Sequence, residues 1–233
     1  MRLHLLDYVL WLTPPMLLLG AWVAMYRRGL YRQYPWFFNY IVFQTVCMLV
    51  ALALSRSVEY YYFYIVEWLL SSLLSFAILH DLMTNGFQTS RNSAKLGGFL
   101  LAATALVFVV TEISSIHSTG TGLGDSWANV IYLTDRSVRI AQCIVLILMF
   151  ARRKSLGISR RNLLFGIMLG LGLSATVRML VTVTAVHHAF WGPRTWNRVN
   201  ATVYLLACGI WLAYAIAGSG REHAYSWRRV VPS

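Results

Sequence analysis

Lysine is almost missing from this chain. Of 20 Lys+Arg in 233 residues only Lys95 and Lys154 are lysines, and both lie outside the apolar runs. A retinal Schiff base needs a lysine inside the membrane, so a rhodopsin-type chromophore protein is excluded. Acids are scarce too, eight Asp+Glu in all, and charged residues make up 12%, about half the share of an ordinary soluble domain. The three cysteines, Cys47, Cys143 and Cys208, stand far apart inside apolar runs, which excludes a disulfide framework and a CxxC metal site. Proline occurs five times, and no stretch of Pro, Ser or charge is long enough for a linker or a second domain.

What is abundant is apolar surface: 58% hydrophobic residues and a mean hydropathy of +0.59. A net charge of +12 and a pI near 10.1 suggest nucleic acid in a polar protein. Here they set membrane orientation, and no nucleic-acid partner is expected. Windows of about 20 apolar residues, the length that crosses ~30 Å of hydrocarbon, occur near 5–25, 36–54, 60–80, 97–115, 127–150, 162–186 and 197–217. The expected fold is therefore all-α, a polytopic seven-transmembrane-helix bundle forming a single domain over 1–217. A short basic cytoplasmic tail, 218–233, follows. The first run begins almost at Met1, contains Thr13-Pro14-Pro15 and lacks a small-residue cleavage site, so it reads as a retained, kinked span.

Basic residues give the direction, because Lys and Arg in short loops resist translocation. Thirteen fall in the first, third and fifth connections and the tail, including Arg27, Arg28, Arg32 and the run Arg152, Arg153, Lys154. Only Arg2, Arg56, Arg194 and Arg198 fall on the opposite side, with Asp7, Glu59 and Asp125. The N-terminus is expected outside and the C-terminus in the cytoplasm. Trp36, Trp127 and Trp196 sit where interfacial anchors belong. Gly166, Gly170 and Ser174, and again Gly209, Ala213 and Ala217, follow a small-xxx-small spacing that is expected to bring helices close within the bundle.

Charges inside spans carry the functional signal, since each is expensive against lipid and turns toward the interior or a water-filled cavity. There are six: Glu67, Glu112, Asp135, Arg136, Arg139 and Arg178. At ~1.5 Å per residue all lie at or above the middle of the membrane. At ~100° per residue, Tyr60, Tyr64, Glu67, Ser71 and Ser75 share one stripe. Asp135, Arg139 and Gln142 share another, with Tyr132 beside them. Ser174, Arg178 and Thr182 form a third, and Asn197, Asn200, Tyr204, Cys208 and Trp211 a fourth. Two readings fit: an outward-open cavity whose arginines take an anionic group and whose tyrosines take an apolar body, and a self-compensating ion network that joins helices. The ligand-binding candidates are Tyr64, Glu67, Ser71, Glu112, Tyr132, Asp135, Arg139, Arg178, Asn200 and Tyr204.

Catalytic and metal sites find no support. Glu67 to Phe76 with His80 and Asp81 partly resembles the Ser/His helix of seven-helix metal hydrolases. His80 and His187-His188, however, are placed at opposite ends of their spans, roughly 30 Å apart, and cannot share one zinc. His4, His117, His187 and His188 fit no ligand spacing, and no span holds the central histidine a haem requires. Gly120-Thr121-Gly122-Leu123-Gly124 follows no strand and reads as a plain loop. No cofactor is expected, and an intramembrane acid–base enzyme built on Glu67 or Asp135 lacks a nucleophile–base pair.

Tyr34-Pro35-Trp36-Phe37-Phe38-Asn39-Tyr40 and the run from Tyr62 to Ser71 resemble segments of uncharacterised seven-helix membrane proteins from bacteria, notably acidobacteria. The likeness covers mainly the first three spans and implies a bacterial inner membrane. The general layout is also similar to bacterial seven-helix sensor modules, without an output domain after residue 217. The expected function is a receptor-like binding or sensing protein in the lipid bilayer. It takes a small-molecule ligand from the outer side and acts through a cytoplasmic or membrane protein partner. The alternative is a small transporter or accessory subunit of a membrane complex, although Pro14-Pro15 has no counterpart in the fifth span and the internal symmetry of many transporters is not visible.

A cysteine placed at Gly122 should react with an impermeant thiol reagent added outside intact cells. Labelling only from the cytoplasmic side overturns the assigned direction.

Overall fold

The computed structural model describes residues 5–54, 57, 59–87, 139–140, 142–151, 162–187 and 193–217. These are helical apart from turns, with no strand among the described residues. In hydrocarbon only a helix satisfies the backbone of an isolated apolar segment from within. The elements are α1 (Leu5–Arg27), a 3-10 turn (Leu30–Arg32), α2 (Pro35–Leu54), α3 (Tyr60–Phe87), α4 (Gln142–Ala151), α5 (Leu163–His187) and α6 (Pro193–Ala217). Four stretches are long and apolar enough to cross a membrane: Pro35–Leu54, Tyr62–Leu82, Leu163–Val181 and Arg198–Ala217. They coincide with four of the seven expected spans, and helices of this kind mark a membrane protein. The span expected at 97–115 lies outside the described residues, and the one at 127–150 is described only from Arg139.

Helix ends follow local chemistry. Pro35 and Pro193 open α2 and α6, where a missing N–H leaves no bond unmade. Gly29, at φ 68°, takes the left-handed conformation that stops α1. The Ser57 hydroxyl donates to Glu59 Oε2 (2.6 Å) and accepts from the Glu59 amide (3.1 Å), tightening the approach to α3. Pro14 and Pro15 are buried inside α1, which continues through both.

Contacts fix helix directions. Leu54 and Tyr60 are separated by at most about 21 Å of chain, less than the ~30 Å length of α2, so α2 and α3 are antiparallel. Tyr26 stacks on Tyr31 (5.6 Å), and Tyr31 meets Phe38 (5.8 Å), holding the end of α1 beside the start of α2. Gly166 faces Tyr214 and Gly170 faces Trp211, an antiparallel sequence of pairs. Gly20 meets Leu212, and Arg28 Nη1 donates to the Ala215 carbonyl at 2.7 Å, so α1 and α6 end at the same level. Cys143 lies 3.7 Å from Thr176, Leu146 contacts the Gly172 position, and Phe150 meets Phe165 at 5.5 Å. Thus α4 runs against α5.

The core centres on Trp211 of α6, which has no exposed surface. Phe37, Tyr40 and Tyr204 meet its ring edge-on at 5.5, 6.0 and 6.3 Å. Ile41, Met25, Ile167 and Met149 fill the space around it. Outward faces carry Met16, Leu49, Leu73, Ile147 and Leu206, a surface suited to lipid tails and not to water.

The two small-residue stripes part company. At Gly166 and Gly170 an added methyl would overlap the Tyr214 and Trp211 rings, so close approach is real there, and it is helix against aromatic ring. Gly209 has nothing within 4 Å of an added methyl, and Ala213 and Ala217 are exposed. The expected close contact at the second stripe is therefore corrected. The inward face of α6 carries Tyr204, Ala207, Cys208, Trp211 and Ala215, and its rings turn residues 209, 213 and 217 away from the core.

Replacing Gly170 with Ala should destabilise the protein by ~1–3 kcal/mol through overpacking, whereas Gly209→Ala should be neutral or slightly stabilising. Thermal unfolding in detergent checks the contrast, and equal effects at the two positions contradict it.

Candidate functional site

The polar side chains of the apolar helices do not all seek one another. Ser174 donates to the Leu171 carbonyl (3.0 Å), Ser75 to Ser71 (2.8 Å), Thr45 to Ile41 (2.8 Å) and Thr202 to Arg198 (2.8 Å). Such bonds to the preceding turn satisfy a hydroxyl within its own helix, so Ser174 brings no free polarity to a site. Between helices, Gln44 Nε2 of α2 donates to Ser71 Oγ of α3 at 2.7 Å. A bond of this kind adds roughly 0.6–2 kcal/mol in a membrane. It also levels the two helices at their middles.

Above that bond the charges gather. Glu67 lies one turn from Ser71 on α3, half-buried, within electrostatic reach of both Arg178 of α5 and Arg139. Arg178 is half-buried with its guanidinium 5.9 Å from the centre of the Tyr204 ring on α6, a cation–π contact worth ~2 kcal/mol when desolvated. Arg139 precedes α4, and its Nη1 donates to Gln142 at 3.4 Å. It stands one turn before Cys143, whose neighbour is Thr176, so it comes level with Arg178. The buried Tyr40 of α2 lies in the field of all three charges. Among the described residues Glu67 and Arg178 form no direct ion pair, and their charges act at longer range.

One level unites the group. From the middle of each apolar stretch, Glu67 is about 8 Å, Arg178 about 9 Å, Tyr204 about 5 Å and Asn200 about 11 Å along its helix axis. Given the helix directions, all four displacements point the same way, away from the end that carries Arg27, Arg28 and Arg32. Two cations and one carboxylate leave this described cluster with an excess positive charge, and Tyr204, Tyr40 and Trp211 line its lower side.

Some buried polar atoms of the cluster make no hydrogen bond. The Asn200 side-chain oxygen and the Tyr204 hydroxyl are buried without a hydrogen bond; the Cys208 thiol approaches the hydroxyl without reaching hydrogen-bond geometry. A buried polar atom left in this state costs about 1–3 kcal/mol. The Trp211 indole nitrogen is also unbonded, but it is packed against Gly170.

The structure thus brings together Glu67, Arg139, Arg178, Asn200 and Tyr204 of the sequence-derived candidates, with Ser71 beneath them. Tyr64 is 49% exposed and turns toward the outer face of α3. Glu112, Tyr132 and Asp135 lie outside the described residues, as does Arg136. Tyr40 and Gln44 were missed. Their signal was present: Tyr40, Gln44 and Cys47 recur at i, i+4 and i+7 in an otherwise apolar span, and an amide at mid-span is as telling as a charge. Among the described residues no three His, Cys, Asp or Glu side chains come together as metal ligands. No family model, no curated protein and no solved structure matches this chain.

Arg178→Met leaves Glu67 as a half-buried acid facing one cation fewer and should lower stability by about 1 kcal/mol, the scale of a partly screened interaction between half-buried charges. Adding Glu67→Gln should recover much of that loss. Thermal unfolding of the singles and the double gives the coupling energy; a value near zero shows that each guanidinium is held by other groups.

Proposed function

We propose that this chain is a seven-helix membrane protein of binding or sensing type. Its N-terminus lies outside and its C-terminus in the cytoplasm, and it is a multi-pass protein of a bacterial inner membrane. Its polar cluster is an outward-facing cavity for a small anionic or amphipathic molecule, and occupancy is passed to a protein partner. The observation that carries this reading is the convergence of Glu67, Arg139, Arg178 and Tyr204 at one level, with Glu67 and Arg178 not joined in a direct ion pair and the Tyr204 hydroxyl buried without a hydrogen bond. A network that served only to join helices would close the Glu67–Arg178 pair and satisfy the Tyr204 hydroxyl.

Direction supports the count of seven. Helices α3 and α4 run the same way, which fits one further crossing between them, as expected near 97–115 from the sequence. The basic end, with Arg27, Arg28 and Arg32, fits a cytoplasmic face by the positive-inside rule. That puts the charge cluster in the outer half.

Native mass spectra of protein released gently from detergent should show a small-molecule adduct that Arg178→Lys weakens and Arg178→Met removes. Identical bare spectra for all three proteins, at equal folding, would leave the cluster a structural network.

A further inference from the structure

The binding cluster carries two opposite demands, and together they describe its ligand. On one side stand the guanidinium of Arg178 and the buried Tyr204 hydroxyl, which has no acceptor. These groups call for an anion with at least one oxygen to spare. On the other side stand the Glu67 carboxylate, not closed into an ion pair with Arg178, and the Asn200 oxygen, buried without a donor. These call for N–H groups, best supplied by a cation. A plain anion satisfies the first set, leaves Asn200 orphaned and adds repulsion from Glu67. A plain amine satisfies the second set, is repelled by Arg178 and leaves the Tyr204 hydroxyl unmet.

We infer that the site takes a small zwitterion, a molecule carrying a primary ammonium and an acid group a few bonds apart. The acid lies against Arg178 and Tyr204 and the ammonium against Glu67 and Asn200. The inference rests on the ligand-binding reading of this cluster. Charge balance favours it: a neutral ligand with separated charges meets each excess locally and introduces no net charge to a half-buried position. Order along the layer agrees, because Asn200 lies about 6 Å farther out on α6 than Tyr204, a separation matched by the two ends of such a molecule. The same pairing of groups occurs in a free amino acid and in the headgroup of an ethanolamine phospholipid.

The test measures thermal unfolding of the full chain in detergent against five probes: phenylalanine, 3-phenylpropionate, phenethylamine, dihexanoyl-phosphatidylethanolamine and its choline counterpart. Phenylalanine or the ethanolamine lipid should raise the midpoint saturably, while the lone acid and the lone amine do so only at far higher concentration. A response to phenylalanine identifies a soluble ligand, and one to the ethanolamine lipid but not the choline lipid identifies a headgroup. Glu67→Gln should weaken the effective zwitterion about 10–100-fold and leave 3-phenylpropionate unchanged, a difference that loss of folding does not mimic. If 3-phenylpropionate binds as tightly as phenylalanine and Arg178→Lys weakens it, the site takes an anion and the zwitterion is wrong although ligand binding stands. If no probe shifts the midpoint, the zwitterion inference fails, and bare native spectra in the same preparation overturn the binding reading with it.

Discussion

The approach of α5 to α6 through Gly166 and Gly170 sets the geometry of the described bundle. Two indole and phenol rings occupy the space that side chains would fill, so α6 can turn Trp211 into the middle. Phe37 and Tyr40 from α2 then close on that ring. Without apolar driving force between lipid-exposed helices, shape must do this work. Edge-to-face rings supply directional contact that a layer of leucines lacks. The polar level rests on the same arrangement: Tyr204, two turns from Trp211, forms both the top of the aromatic cluster and the base under Arg178.

In a low-dielectric layer, a half-buried acid and guanidinium that do not collapse into a pair, as Glu67 and Arg178 do not among the described residues, are costly unless something else meets them. The protein holds them apart by fastening neighbours elsewhere. Arg139 is engaged by Gln142, Arg178 lies over a ring, and the α3 segment below Glu67 is pinned by the bond from Gln44. Each fastening is a separate local interaction on a different helix. The result is a prearranged set of opposite charges, which is what selective recognition of a polar guest requires.

Helix positions in this chain were legible because lipid imposes a length and an apolar composition on anything that crosses it; α2, α5 and α6 begin and end within a few residues of the hydropathy reading. The charged site was legible for a related reason, since glutamate and arginine in such runs have few tolerable environments. Periodicity alone failed for Tyr64. It groups residues over a broad sector, and Tyr64 sits about 60° from Glu67, enough to pass from the interior to the lipid face. Tyr40 and Gln44 carry no charge, and the functional signal was read from charges inside spans. The second small-residue stripe misled for the opposite reason: spacing says that two helices can approach, but which face of α6 turns inward is decided by its rings.

The bond from Arg28 to the Ala215 carbonyl joins positions 187 residues apart, and α6 is a principal neighbour of α1. On a ribosome α1 is made well before this partner. Leu18, Ala21 and Met25, all without exposed surface in the folded protein, must therefore wait in the bilayer against lipid or an insertion factor while most of the chain is synthesised. A premature stop before α6 would release a protein whose helices are each stable in lipid but whose first one has lost the surface it was shaped to meet, the kind of product that membrane quality-control proteases remove.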